Sequence, residues 1–155
     1  MKKLAILLFL IFHLTYAQKT TKFRDIGVIF SENYNCYLFE NLKRFTPTSN
    51  EINELEILLG KNIEIINTNK FNPLIHKNLN NYNRQYFGIF NEKGQKIIYV
   101  NFLWRENTDH PFNRNKKEKW KTEWQDISDG GSYYWNIKYN LINKTFFDFR
   151  VNTLG

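Results

Sequence analysis

The chain has 155 residues and a formal net charge of +7, from Lys+Arg 22 against Asp+Glu 15. With 42% hydrophobic and 17% aromatic residues and only 3 Pro and 7 Gly, it is too apolar for a disordered or collagen-like chain, and its length suits one core. Its single Cys excludes a disulfide-stapled miniprotein and any zinc module built on two or four thiolates.

Lys2 and Lys3 precede an apolar run from Leu4 to Leu14 and the small-residue end Thr15-Tyr16-Ala17. That order is the one a secretory signal peptide uses. The run is well short of the roughly 20 residues that span a bilayer, so residues 1–17 are expected to be cleaved, between Ala17 and Gln18, and no permanent membrane span is expected. Cys36 is too far downstream to become an acylated first residue. Residues 18–155 are then a single α+β domain that is free in the periplasm or outside the cell.

A strand is expected from Arg24 to Phe30. Pro47 cannot continue a helix backwards, and Thr48 with Glu51 three residues on forms a capping box. Apolar residues at Ile52, Leu55, Leu59, Ile63 and Ile66 then make one stripe on a helix running to about Asn67. Gly60 costs about 1 kcal/mol relative to Ala inside a helix. A stop there followed by a strand is the alternative, but the unbroken stripe favours one long helix.

Beyond Pro73 the period changes to two. Tyr82–Phe90 and Lys96–Trp104 flank Asn91-Glu92-Lys93-Gly94-Gln95, a hairpin with Gly where a left-handed residue is wanted. Both strands are apolar on both faces, which suits central strands or a sheet whose second face is partly covered. A strand from Lys121 to Ile127 is expected to turn at Asp129-Gly130-Gly131 into Tyr133–Leu141. A short loop then leads to a last strand in which Phe147, Phe149 and Val151 share a face.

A strand, a long helix and then four antiparallel strands resembles the cystatin-like α+β fold. The resemblance implies one long helix packed on a curled antiparallel sheet of four to five strands. Cystatin-family protease inhibitors carry Gln-x-Val-x-Gly in the hairpin that here reads Asn91-Glu92-Lys93-Gly94-Gln95, so the fold is implied and the inhibition is not. The run Tyr82-Asn83-Arg84-Gln85-Tyr86-Phe87-Gly88, with Asp129-Gly130-Gly131-Ser132-Tyr133-Tyr134, resembles small exported proteins of Bacteroidota that have no assigned function. A preference for Asn, Ile, Lys and Phe fits the same bacterial source.

Candidate chemistry is sparse. Cys36 with His76 or His110 has the residue types of a nucleophile and base, but Tyr34-Asn35-Cys36-Tyr37-Leu38-Phe39 has no cysteine-hydrolase signature, and a buried structural thiol is the commoner case. Asp126, Ser128 and Asp129 offer oxygen ligands for Ca²⁺, yet Asp-Gly is ordinary turn chemistry. Asp109-His110 has no recognisable metal-ligand spacing. No cofactor and no metal is called for.

Between Arg105 and Lys121, Arg105, Arg114, Lys116, Lys117, Lys119 and Lys121 stand against Glu106, Asp109 and Glu118, framed by Trp104, Phe112, Trp120 and Trp124. Cations beside aromatic rings hold anionic glycans, lipid head groups or acidic proteins; interrupted basic residues on an exported chain make nucleic acid a poor partner. Trp104, Arg114, Lys116, Lys117, Lys119, Trp120 and Trp124 are the expected contact residues. The competing reading is a solvated connection whose tryptophans belong to the core. The expected function is an exported, non-enzymatic binding domain for a protein or an anionic surface polymer. The alternative is a small periplasmic hydrolase with its site in the cup of the sheet.

Overall fold

A computed structural model describes residues 20–67, 71–106 and 119–153. Ala17 and Gln18, with the rest of the signal segment, lie outside the described residues, as do Asp109, His110, Phe112, Arg114, Lys116 and Lys117. The strands are β1 (Thr20–Phe23), β2 (Gly27–Phe30), β3 (Arg44–Phe45), β4 (Tyr82–Phe90), β5 (Lys96–Trp104), β6 (Tyr134–Asn140) and β7 (Thr145–Val151), with helix α1 (Ser49–Ile66) between β3 and β4.

The helix is built as its sequence requires. The Glu51 amide donates to Thr48 Oγ1 at 3.3 Å and the Thr48 amide to Glu51 Oε2 at 2.8 Å, closing the capping box. Ile52, Leu55, Leu59 and Ile63 are buried against the sheet. Gly60 does not interrupt α1: a Cβ there would meet no atom within 4 Å, so its weak propensity is outvoted by the stripe that packs on both sides of it. Among the described residues no helix is long and apolar enough to cross a membrane.

The fold class is α+β; among the described residues, helix α1 packs on a seven-stranded sheet ordered β1-β2-β4-β5-β6-β7, with β3 pairing beside β2 on β4. The expected antiparallel sheet of four to five strands is corrected in two respects. The sheet has more strands, because β1 and β3 are too short to show an alternation. It is also mixed, because the chain returns from α1 with β4 parallel to β2, Gly27 facing Arg84 and Phe30 facing Phe87.

Two further expectations are corrected. Residues 121–127 form no strand; a single helical turn at Lys119–Lys121 leads into irregular chain whose Trp120, Trp124 and Ile127 pack on one layer at steps of four and three. In β7, Phe147, Phe149 and Val151 do not share a face. Between the pairs Asn136–Arg150 and Lys138–Phe147, β7 carries one more residue than β6. This bulge, with Asp148 at φ 53°, leaves Phe146, Phe149 and Val151 against the helix core and Phe147 exposed outside.

Both faces of the central strands are covered, as their two-sided apolar pattern predicts. The helix side contains Tyr82, Tyr86, Val100, Phe102, Trp135 and Ile137 under α1, each worth about 1.5–3 kcal/mol on burial. It also holds an ion pair: Arg84 Nε lies 3.1 Å from Glu56 Oε1, which accepts the Tyr86 hydroxyl at 3.0 Å, while Arg84 donates to the carbonyls of Tyr82 and Leu79. On the outer face Val28, Phe30, Phe87 and Leu103 lie beneath Cys36, Phe39 and Trp120, with Phe30 and Phe87 stacked at 4.4 Å.

Candidate functional site

The loop after the basic segment is positioned by one buried side chain. Gln85 Nε2 donates to the carbonyls of Trp120 at 2.7 Å and Glu123 at 2.8 Å, and its Oε1 accepts from Asn101 Nδ2 and the Gln125 amide, both at 3.1 Å. Asn101 Nδ2 also donates to the Gln125 carbonyl, and the Trp124 amide to the Tyr34 hydroxyl. An irregular chain over an apolar face has no ladder to satisfy its backbone; here side chains of β4 and β5 take that role.

The tryptophans of the segment do not form one exposed platform. Trp120 is 4% exposed in the outer layer. Trp124 packs there on Phe87 and Tyr99, with ring centroids 5.3 and 5.8 Å away. Trp104 lies on the helix side, edge-on to Tyr82 and Tyr133 at 5.1 and 5.4 Å. Lys119 lies 3.8 Å from Glu123, one helical turn on.

The fold instead gathers cations that are far apart in sequence. A cleft of about 200 Å³ is lined by Thr20, Lys22, Arg24 and Asp25 from β1 and the turn after it, and by Trp120, Lys121 and Thr122 from the latched loop. Lys22 Nζ lies 2.7 Å from Asp25 Oδ1. The hydrogen bond and charge of Lys22, with the nearby charges of Arg105 and Lys121, hold the Asp25 carboxyl below the usual carboxylate range. The charges of both described ends of the basic segment, Arg105 and Lys121, thus reach Asp25 beside the first hairpin. Arg24, at φ 50°, sends its guanidinium to Asn53 of α1 and over the Phe23 ring. Sequence reasoning singled out the Trp120 end and missed Lys22 and Arg24, whose only local signal was a cation on either side of Phe23.

A second concavity, about 290 Å³, opens on the outer face near β6 and β7. Phe39, Ile89, Tyr99 and Trp124 line it, with Leu38 and Leu42 on one rim and Lys138, Asp148 and Arg150 on the other. Asp148 accepts from Lys138 at 2.6 Å and from Arg150 at 2.7 Å. The Lys138 hydrogen bond, opposed by some burial and aided by Arg150, holds its carboxyl below the usual range. Asp126 accepts the Tyr37 hydroxyl. The charges of this groove are thus engaged with one another.

Cys36 and His76 are on opposite faces of the sheet. Cys36 is buried in the outer layer, and burial pushes its thiol up, away from the thiolate a nucleophile needs. His76 Nδ1 is 3.5 Å from Asn67 Nδ2 at the end of α1. The Asp126–Gly131 loop is docked on the C-terminal segment. Asn152 donates to the carbonyls of Ile127 and Asp129, Thr153 Oγ1 to that of Ser128, and the Gly131 amide to that of Thr153. Gly130, at φ 87°, supplies the left-handed turn, and a Cβ there would lie 2.7 Å from the Tyr134 ring. Among the described residues no three His, Cys, Asp or Glu side chains cluster as a metal site requires. Comparison of the chain with protein-family models, curated proteins and solved structures finds no match.

Proposed function

We propose that the chain is an exported, non-catalytic binding domain whose partner is an anionic surface polymer, gripped at the cleft between the β1–β2 turn and the Lys119–Thr122 loop. The observation that supports this reading is that Lys22, Arg24 and Lys121, far apart in sequence, line one cleft. Cations lining one concave surface attract an acidic polymer and fix where it docks. Lys119 belongs to the same reading, as do Arg114, Lys116 and Lys117, which precede it in the sequence and lie outside the described residues. Export rests on the basic, apolar and small-residue order of residues 1–17. The likeness to the cystatin-like fold belongs to the same proposal: one helix against a sheet is its common feature, and the parallel β2–β4 pair is a departure.

A hydrolase is less well supported. Cys36 and His76 are separated by the sheet, and Asp148 is an ion-paired anion with no proton to donate near neutral pH. The test is binding of the mature chain to labelled dextran sulfate, polygalacturonate and neutral dextran at several salt concentrations. Binding to the two polyanions, loosened by salt and by Lys22→Glu or Lys121→Glu, is expected. Equal affinity for neutral dextran, or indifference to both charge reversals, would overturn the reading.

A further inference from the structure

The outer face of the sheet is covered unevenly. Phe39 and Trp124 pack on Phe87 and Tyr99 of β4 and β5, whereas Lys138, Phe147 and Arg150 of β6 and β7 reach solvent, and the groove of about 290 Å³ opens beside that cover. Two polar groups in it have no partner. Tyr99 is 7% exposed, its ring 5.2 Å from Phe39 and 5.8 Å from Trp124, yet its hydroxyl makes no hydrogen bond with any described residue. A buried phenol ordinarily has a partner for its O–H. Burial raises the pKa of Tyr99, Asp126 adds to the effect, and the charges of Arg150 and Asp148 also reach it, so the neutral hydroxyl lies among the charged residues that line the groove. Asn136 of β6, half-buried in the same groove, likewise leaves its side-chain amide without a partner.

We propose that this groove is a second binding site, built for a sugar ring of an uncharged glycan. Phe39, Ile89 and Trp124 supply apolar surface that suits the C–H face of a pyranose, and small-ligand sites combine such surface with a few placed polar groups. The Tyr99 hydroxyl and the Asn136 amide each both donate and accept, as the hydroxyls of a sugar do. An apolar side chain seated there would bury these two groups with no partner, a cost that a polyol avoids. An ionic ligand would have to compete with the pairings that Asp148 and Asp126 already make, whereas sugar hydroxyls add to those oxygens and to Arg150 without displacing anything. The site is independent of the cationic cleft, so the two readings fail separately.

The experiment titrates the mature chain with cellotetraose, xylotetraose, mannotetraose and maltotetraose by calorimetry, to roughly 10 mM so that even a millimolar Kd is seen. At least one is expected to bind, with an affinity indifferent to salt because no net charge is neutralised. Tyr99→Phe removes the hydroxyl and keeps the ring, and Asn136→Ala removes the amide; each should weaken binding about two- to tenfold, the worth of one hydrogen bond. Tyr99→Phe should leave the urea midpoint unchanged, since that hydroxyl bonds to nothing in the fold, which separates a ligand contact from a structural role. Tyr133→Phe, which removes an exposed hydroxyl that does not line the groove, should bind as wild type does. Binding of none of the four sugars, or binding untouched by both groove variants, would overturn the proposal. A leucine-rich peptide bound more tightly by Tyr99→Phe than by wild type would also overturn it, by showing that the occupant is apolar. Failure of the chain to bind polyanions would sink the cleft and leave this site standing.

Discussion

Gln85, buried on β4, hydrogen bonds to the Trp120 carbonyl at 2.7 Å across 35 residues of sequence. That bond and the one to Glu123 place Lys121 beside the β1–β2 turn, so a neutral amide on the sheet determines where part of the positive charge lies. Gln85→Leu should leave the carbonyls of Trp120 and Glu123 and the Gln125 amide without their partner. A cost of about 1–3 kcal/mol is expected for such buried polar groups, read from urea unfolding. Amide exchange should quicken selectively at residues 122–125. Uniform exchange across the chain would show that Gln85 supports the whole fold and not this loop.

Glu56 and Arg84 provide a second test, inside the core. Their ion pair sits between α1 and β4 with side-chain exposures of 10% and 2%. Glu56→Ala strands the Arg84 charge under the helix, and a loss of about 3–5 kcal/mol is expected. The double variant Glu56→Leu, Arg84→Met removes both charges and keeps the volume, and should recover much of that loss. A double variant as unstable as the single one would mean that Arg84's bonds to the Tyr82 and Leu79 carbonyls, not its pairing with Glu56, are what matter.

Acid should weaken the fold through carboxylates held in their ionised form. The Asp148 carboxyl is low because Lys138 and Arg150 donate to it. The Glu51 carboxyl is partly buried, which opposes ionisation, but its bonds to Thr48 and Lys96 outweigh this and also hold it low. Each folded value lies below the unfolded one of about 4. Their contributions are therefore present above that value and lost as pH falls through the folded values. Urea midpoints should drop as pH is taken from about 6 to about 2.5, and the drop should be smaller in Asp148→Asn, whose amide tolerates the positive φ. An unchanged pH profile in that variant would remove Asp148 from the account.

The long helix was legible because its stripe and capping box are local, β4 and β5 because two long apolar runs flank a turn with Gly94, and β6 because its alternation runs for most of its length. Short pieces were not. Thr20–Phe23 offers one buried residue in four, and Arg44–Phe45 is two residues long. Phe147 was assigned to the wrong face because one extra residue at a bulge shifts every side chain before it, and nothing local to Phe-Phe-Asp-Phe announces the bulge. Trp124 and Ile127 were assigned to a strand because Asp129-Gly130-Gly131 signals a turn after them, whereas this stretch is irregular chain held by Gln85 and Asn101. The cleft was illegible for the same reason. Lys22 and Lys121 reach one cleft only through the pairing of β2 with β4 and the latch on Gln85.

Cys36 offers a test that separates a structural thiol from a chemical one. It is 5% exposed, lies in the outer layer with Phe39 and Phe87, and borders an open depression of about 660 Å³ that Arg44 also lines. Burial is the main cause of its raised pKa, and the charge of Arg44 and the backbone amides of Leu38 and Phe39 only partly counter it. A thiol in that state is poorly ionised at neutral pH, so it should react slowly with a thiol reagent in the native protein and quickly in urea. Cys36→Ser places a hydroxyl among aromatic rings and should cost about 1–3 kcal/mol, while leaving polyanion binding within about twofold because the charged residues of the cleft are untouched. Rapid labelling of the native chain, together with loss of a hydrolytic activity in a folded Cys36→Ser variant, would overturn the non-catalytic reading and move attention from the cleft to the depression around Cys36.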